Sequence, residues 1–357
     1  MIQLSKVKRV FLLGTLFVLL FWHVSQQAIG VAKHNRVLNG AWGSNAYGLI
    51  ASSVNDLTLR KIRFGADGTK LQGLSVSPSG TLMAVELNNG VNIYRDRAQA
   101  NPSLISSTLI TRLNGWVPVA WSPNSQQLLL IPESFGGIAI WDARTNSVHQ
   151  YLASLSICSG DWMLNSSTLL LSICYGTRRL IEWSPYTNRI VTKVGFDFEI
   201  DKEWTIFASA VTRNPDKNSF LIEVRMGSAP VRQTASLPVL PERRLFTMDG
   251  QTAKLTPISA TYMDTTNLWL NTNKLAVLKV VDTGYRQLEL WDNSVRSWTR
   301  LKLENQDCLR KIGVFDHAGL LLEYAGCKNP IADGYFLYKI DKAGDPSALT
   351  RMALTSQ

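Results

Sequence analysis

A unit that recurs every 42 to 47 residues along most of the chain is the feature that most constrains its fold. The clearest copy spans residues 116–152, where four short apolar or alternating runs are separated by Ser-Pro-Asn-Ser, Phe-Gly-Gly and Ala-Arg-Thr-Asn. Runs of this kind, bounded by turn residues, are typical of four antiparallel strands joined by tight connections. One such sheet cannot bury both of its faces, so it needs neighbours of its own kind.

Each copy of the unit consists of two pieces. The first is a hairpin with a Ser-Pro or Asn-containing polar turn between apolar runs, and it occurs at residues 74–85, 119–131, 161–171, 211–222, 268–278 and 312–322. The second is a strand, a polar turn and another strand, and it starts at Val91, Ile138, Leu180, Arg244, Leu288 and Tyr335. This spacing is that of a four-stranded blade of a β-propeller.

An additional hairpin at residues 46–64 precedes the six copies. With 45% hydrophobic and 18% charged residues the chain is globular, and helical periodicity is scarce after residue 35. We therefore predict an all-β protein, a β-propeller of four-stranded antiparallel blades. Seven blades are favoured over six, because the additional hairpin supplies most of a seventh. A closed ring is favoured over an open stack, since closure leaves no sheet edge exposed.

Two short patterns within the units resemble a known group of proteins. Ser-Pro-x-Gly/Ser precedes an apolar strand, and Trp-Asp ends a later strand at Trp141-Asp142 and Trp291-Asp292. In this the chain resembles, with degenerate repeats, the WD-repeat and TolB-like group of β-propellers over roughly residues 40 to 350. The resemblance implies a scaffold that binds partners on its flat faces or in its central channel, but it implies no reaction.

The first 32 residues differ in composition from the rest. Lys6, Lys8 and Arg9 precede the uncharged apolar run 10–22, and the small residues of 28–32 follow. This pattern predicts one hydrophobic helix that is either a cleaved signal peptide or an uncleaved signal anchor. We expect residues 33–357 to form the propeller domain outside the cytoplasmic membrane, anchored to that membrane or secreted after cleavage.

The four cysteines flank two of the hairpins. Opposing residues of an antiparallel hairpin share a constant sum of residue numbers, and Cys308 and Cys327 share theirs with the turn 316–319. Cys158 and Cys174 share theirs with the turn 165–167. We therefore expect two disulfides, each directly across a ladder, in a compartment that permits them. Four unpaired buried thiols are the alternative, and the spacing argues against zinc.

No catalytic residue, metal site or cofactor is predicted from the sequence. It contains neither a Gly-x-Ser-x-Gly elbow nor a phosphate-binding Gly-rich loop. Carboxylates that could meet in a channel are better explained as strand-end or loop residues; they are Asp161, Glu182, Asp197 and Glu199. The sequence thus points to binding more than to catalysis.

One insertion interrupts the repeat within residues 226–244, where the interval between second pieces rises to 64 residues. An insertion in a repeat protein projects from one face, and that face often binds. We predict an extended partner-contact loop here, although a passive excursion is an alternative. Its candidate contact residues are Pro230, Arg232, Pro238, Pro241, Arg243 and Arg244.

The net charge and the expected location limit the classes of partner that the chain could bind. The net charge is +10, with small basic concentrations that favour an acidic partner or an anionic envelope surface. Nucleic acid is not expected outside the cytoplasm. We predict a non-catalytic scaffold that binds a protein or another envelope component on a propeller face, with membrane contact through the N-terminal segment if it is uncleaved. The alternatives are a propeller enzyme, a hydrolase or lyase, and a carbohydrate-binding propeller.

Overall fold

The computed structural model describes 15 stretches of the chain, which contain β-strands and a short 3-10 turn at Gln306–Cys308. The all-β prediction is confirmed. The described residues are 47–53, 58–63, 71–88, 90–95, 108–133, 136–174, 178–195, 204–228, 242–258, 265–271, 273–281, 285–316, 319–329, 333–340 and 349–356.

The strands form sheets in chain order. The chain enters through a hairpin of β1 (Tyr47–Ser53) and β2 (Thr58–Arg63). Six four-stranded sheets follow, named blades 1 to 6. They are β3 (Leu71–Val76), β4 (Leu82–Leu87), β5 (Gly90–Arg95) and β6 (Thr108–Asn114) in blade 1; β7 (Trp116–Trp121), β8 (Gln127–Pro132), β9 (Ile138–Asp142) and β10 (Ser147–Tyr151) in blade 2; β11 (Ile157–Trp162), β12 (Leu169–Ile173), β13 (Arg179–Trp183) and β14 (Ile190–Gly195) in blade 3; β15 (Trp204–Arg213), β16 (Ser219–Ser228), β17 (Glu242–Asp249) and β18 (Leu255–Pro257) in blade 4; β19 (Thr265–Trp269), β20 (Lys274–Val281), β21 (Tyr285–Asp292) and β22 (Ser297–Arg300) in blade 5; β23 (Leu309–Asp316), β24 (Gly319–Tyr324), β25 (Gly334–Lys339) and β26 (Leu349–Arg351) in blade 6.

The preference for seven four-stranded blades is wrong, because the described residues form six. The hairpin β1–β2 is joined by a single further strand, β27 (Ala353–Ser356), which pairs with β2 in parallel. We call these three strands the closing sheet. It has three strands, in the order β1-β2-β27, because the C-terminal end of the described chain contributes one strand to it and not two.

The hydrophobic core lies between adjacent blades. One cluster joins blade 1 to blade 2 around Trp121 and Trp141, and another joins blade 2 to blade 3 around Trp162 and Trp183. All four tryptophans are buried. The innermost strands also contact one another around the ring, as β11 does with both β7 and β15. The repeated unit therefore buries its apolar faces against copies of itself, as its alternating pattern requires.

A recurring turn ends the third strand of the blades. Its left-handed residue is Asn146 in blade 2, Asn188 in blade 3 and Arg296 in blade 5, with φ of 51°, 51° and 53°. In blades 2 and 3 the preceding Trp donates its indole N–H to the Asn side chain, from Trp141 at 3.0 Å and from Trp183 at 3.1 Å. In blade 5 the turn has Arg296 in place of Asn, and the buried indole N–H of Trp291 has no acceptor among the described residues.

Serines in the first turns link neighbouring blades. The backbone N–H of Ser79 in blade 1 donates to Oγ of Ser125 in blade 2 at 2.8 Å, and that of Asn124 in blade 2 donates to Oγ of Ser166 in blade 3 at 3.1 Å. Ser125 and Ser166 both have left-handed backbones, with φ of 62° and 56°. The Ser-Pro turns noted in the sequence thus bridge blades as well as reverse the chain.

Asp161 links blade 3 to blade 4 through its carboxyl group. Its Oδ2 accepts the backbone N–H of Arg213 at 2.8 Å and its Oδ1 accepts that of Trp162 at 2.7 Å. Burial raises the pKa of Asp161 from 3.8 to about 6, against the opposing effect of these hydrogen bonds and of the Arg213 charge. The carboxyl is therefore a structural contact whose charge is costly to the folded state.

The predicted N-terminal hydrophobic helix, like the whole of residues 1–46, lies outside the described residues. In the part of the chain that the structure does describe, no helix is long and apolar enough to cross a bilayer.

Replacing Arg296 by Asn should stabilise the protein. The variant supplies the missing acceptor for Trp291 and suits the left-handed turn, so we expect the free energy of unfolding to rise by about 1 kcal/mol. Denaturant unfolding measures it. Arg296→Gly is the matched control, because glycine adopts the same left-handed backbone but supplies no hydrogen-bond acceptor for Trp291. Equal stabilities of the two variants would contradict the role of the hydrogen bond.

Replacing Asp161 by Asn should change how stability depends on pH. Because the folded pKa of Asp161 lies above its unfolded value, this group favours the folded state below pH 4, and that contribution is lost as pH rises through about 6. The stability of Asp161→Asn relative to the wild type should therefore improve between pH 4 and 7, by up to about 3 kcal/mol. Unfolding curves at several pH values test this, and a deficit that is constant with pH would refute it.

Candidate partner-binding face

The alternation of strand direction sorts the connections between strands onto two faces of the ring. One face, which we call the entry face, is where the innermost strands β3, β7, β11, β15, β19 and β23 begin. It also carries the connections between the second and third strands of each blade. The opposite face, which we call the turn face, carries the Ser-Pro turns and the recurring Trp-to-Asn turns. The predicted site residues can now be placed on these faces.

Both predicted cysteine pairs lie on the entry face at disulfide distance. The Cα atoms of Cys158 and Cys174 are 6.0 Å apart, and those of Cys308 and Cys327 are 4.9 Å apart. Each bond joins the start of an innermost strand, in blade 3 or blade 6, to the connection between the second and third strands of the same blade. Each therefore ties a connection of the entry face to an innermost strand.

The register that we expected for the cysteines is wrong, although the pairing is right. In blade 3 the hairpin turn itself sets Ser159 opposite Ser172, one position from the expected register, and a β-bulge at Cys158 shifts the ladder once more, so that Ile157 faces Ile173 and Cys174 lies beyond the end of β12. Two irregularities shift the ladder of β23 and β24 in the same way, and Cys327 lies past the end of β24. A bulge adds an unpaired residue to one strand, which a constant sum of residue numbers does not allow for.

Blade 4 extends further on the entry face than its neighbours. Its strands β15 and β16 have ten residues each and pair out to Trp204 and Ser228. β17 continues this ladder, with Glu242 opposite Met226. The predicted loop is therefore shorter than the interval 226–244, because both of its ends belong to strands. This paired extension of β16 and β17 forms a stem on which the connection 229–241 is mounted.

The candidate loop residues divide between this stem and the connection. Arg243 and Arg244 lie in β17, opposite Arg225 and Val224 respectively, and the side chain of Arg244 is exposed. Pro230, Arg232, Pro238 and Pro241 lie outside the described residues. Their role as partner contacts stays a prediction.

Of the four carboxylates considered for catalysis, the two that the structure describes take part in separate contacts. Asp161 on β11 is held between blades 3 and 4, as described above. Glu182 on β13 pairs with Lys193, with 2.6 Å between Oε2 and Nζ. Asp197 and Glu199 lie outside the described residues. Where the structure describes the chain, no group of three or more His, Cys, Asp or Glu is arranged to hold a metal ion.

A pair of acidic residues on the entry face was not singled out from the sequence. Glu86 at the end of β4 and Glu133 after β8 belong to adjacent blades, and burial, followed by the charge of Glu133, raises the pKa of Glu86. A Cβ added at Gly73 would lie 2.6 Å from Oε2 of Glu86, so glycine leaves room for this carboxyl group. The two residues are far apart in sequence and share no motif, so no sequence pattern pointed to them.

Comparisons with known proteins address the fold. No protein-family profile matches the chain, and no curated protein matches it significantly in sequence. Among solved structures, TolB from Acinetobacter baumannii superposes with a TM-score of 0.51 at 13% identity, over 76% of this chain and 63% of that one. Kuenenia stuttgartiensis hydrazine synthase superposes with a TM-score of 0.51 at 11% identity, over 75% of this chain and 76% of that one.

These identities are low enough that the similarity concerns the fold alone. The chain spans less than two thirds of the TolB structure that it matches. With its ring of four-stranded blades and its Trp-Asp and Ser-Pro turns, the chain is a β-propeller similar in fold to the TolB-like propellers.

Proposed function

We propose that this chain is a non-catalytic, extracytoplasmic β-propeller that binds a protein or another envelope component on its entry face. The observation that carries the proposal is the shared location of three features. Both disulfides and the stem of blade 4, with its mounted connection, lie on the entry face. A rim held by disulfides beside the stem of an inserted segment is a suitable arrangement for capturing a partner.

The extracytoplasmic location rests on two independent lines of support. Disulfides persist in oxidising compartments and are rare in the cytoplasm of most organisms. The basic start and apolar run of residues 6–22 have the composition of an export signal or anchor. Together they favour a propeller outside the cytoplasmic membrane, either anchored or released.

The stem favours an acidic partner. Its register sets Arg225 directly opposite Arg243, with Arg244 next to it. A pair of arginines at opposing positions of a ladder suits the carboxylates of a partner, with which arginine forms two-pronged hydrogen bonds.

Partner capture should depend on the entry face. Replacing residues 230–241 by a Gly-Ser linker of equal length should reduce crosslinked recovery of a specific envelope partner at least about tenfold, a loss of about 1.4 kcal/mol. Arg243→Glu with Arg244→Glu should have a similar effect, and added salt should weaken wild-type capture. Quantitative pull-down from envelope extracts measures these changes.

A substitution on the opposite face provides the control. Val295 lies on a turn of blade 5, on the turn face, and is 68% exposed, so Val295→Ser should leave both folding and capture unchanged. If the wild type and the linker variant recover equal amounts of the partner, the proposal that the entry face binds it is contradicted.

The disulfides should be present and stabilising in the exported protein. Non-reducing peptide mapping should link Cys158 to Cys174 and Cys308 to Cys327. Removing either pair by double Ala substitution should lower the free energy of unfolding by ~3 kcal/mol, because each bond closes a short loop. A variant lacking all four cysteines serves as the control, since a reductant should not change its stability. Free thiols in the exported protein would contradict the prediction.

A further inference from the structure

A cleft on the turn face, between blades 2 and 3, is separate from the partner-binding face. Its volume is about 190 Å³. One wall is the outer part of blade 2 and the other is the turn between β13 and β14. The lining residues that matter here are Gln127, Asp142, Arg144, His149, Tyr151 and Tyr186.

The blade 2 wall carries a chain of polar side chains. Ser147, His149 and Tyr151 are alternate residues of β10 and so project from the same side of the strand. Oγ of Ser147 lies 3.0 Å from Nε2 of His149 and 2.7 Å from Oγ1 of Thr145, which in turn donates to Oδ1 of Asp142 at 3.2 Å. These contacts fix the imidazole ring at the cleft. Its Nδ1 has no hydrogen-bond partner within the described part of the chain.

Gln127 lies at the base of the cleft with an incompletely paired amide. Its side chain is nine-tenths buried; Nε2 donates to the hydroxyl of Tyr186 at 3.3 Å, whereas the buried Oε1 has no partner among the described residues. Turning the amide by 180° would leave the N–H group unpaired instead. A hydroxyl group both donates and accepts, so it can pair with whichever amide atom faces the cleft.

Aromatic rings supply the apolar part of the cleft. Tyr186 is 67% exposed, and Tyr151 packs against Trp183 with 5.0 Å between ring centroids. Because the ring of Tyr186 is not held in the core, it can turn aside and let a ligand hydroxyl replace its own at Gln127. Its face is then available to the C–H groups of the ligand.

Size and charge limit the occupant. At ~30 Å³ of liquid volume per molecule, the cleft holds about six waters, a volume that suits one small ring. Asp142 and Arg144 contribute opposite charges at the rim. The cleft therefore does not select strongly for either an anion or a cation.

We propose that this cleft binds a single neutral sugar ring, as the recognition site for a glycan. Its hydroxyls pair with Gln127 and with Nδ1 of His149, and its C–H face stacks on Tyr186. This site lies on the face opposite the proposed partner contacts. The sugar site and the partner-binding face can therefore be tested, and refuted, independently of each other.

Saturation-transfer NMR with the full exported domain tests the proposal. Methyl β-glucopyranoside and N-acetylglucosamine are the neutral probes, and galacturonate and glucosamine are charged comparators of the same size. We expect the neutral probes to bind with Kd in about the millimolar range, as is normal for one small ring. Gln127→Leu and Tyr186→Ala should each weaken binding by at least about tenfold.

The variants separate binding from folding. Gln127→Leu removes a buried unpaired polar atom, so its Tm should not fall, and the exposed Tyr186 can be truncated without loss of core packing. Leu164→Ala is the control, because Leu164 is an exposed turn residue of blade 3 outside the cleft. Three results would each overturn the proposal: no transfer to any neutral probe, unchanged binding in both cleft variants, or tighter binding of a charged comparator.

Discussion

The pairing of β2 with β27 is the interaction on which the ring depends. It joins Thr58 to Ala353 and Lys61 to Ser356, residues from the two ends of the described chain. Closing so long a loop is entropically unfavourable, although the cost grows slowly with loop length. Without this pairing the last described strand would not be attached to the sheet in which the described chain begins. Closure makes each blade's packing support that of its neighbours.

The two faces of the ring differ in physical character. On the turn face, short turns are determined by side chains that bond their own backbone and by left-handed residues such as Asn146 and Ser125. On the entry face, disulfide bonds at Cys158 and Cys308 restrain two of the connections. A scaffold of this kind can vary its binding segments while its turns keep the blades in register.

The buried polar contact of Asp161 between blades is better explained by a structural role than by a catalytic one. Asp161 would attract attention as a raised-pKa carboxyl, yet both its oxygens accept backbone N–H groups at the contact between blades 3 and 4. Networks that satisfy backbone donors also perturb pKa values, so such a shift alone does not identify a catalytic residue. In contrast, Oε1 of Gln127 is buried without a partner among the described residues at a cleft between two blades, and the proposed sugar site rests on this group.

The sequence by itself determined the local structure of this protein. Alternating side chains and turn residues act over a few positions, and they predicted the strands of residues 116–152 closely and the six repeated blades. They also identified both cysteine pairs. The tertiary structure alone decided that the closing sheet has three strands, that bulges displace the cysteines from opposing positions, and that Gln127 meets Tyr186. Each of these depends on backbone irregularities or on contacts between distant residues, which periodicity does not encode.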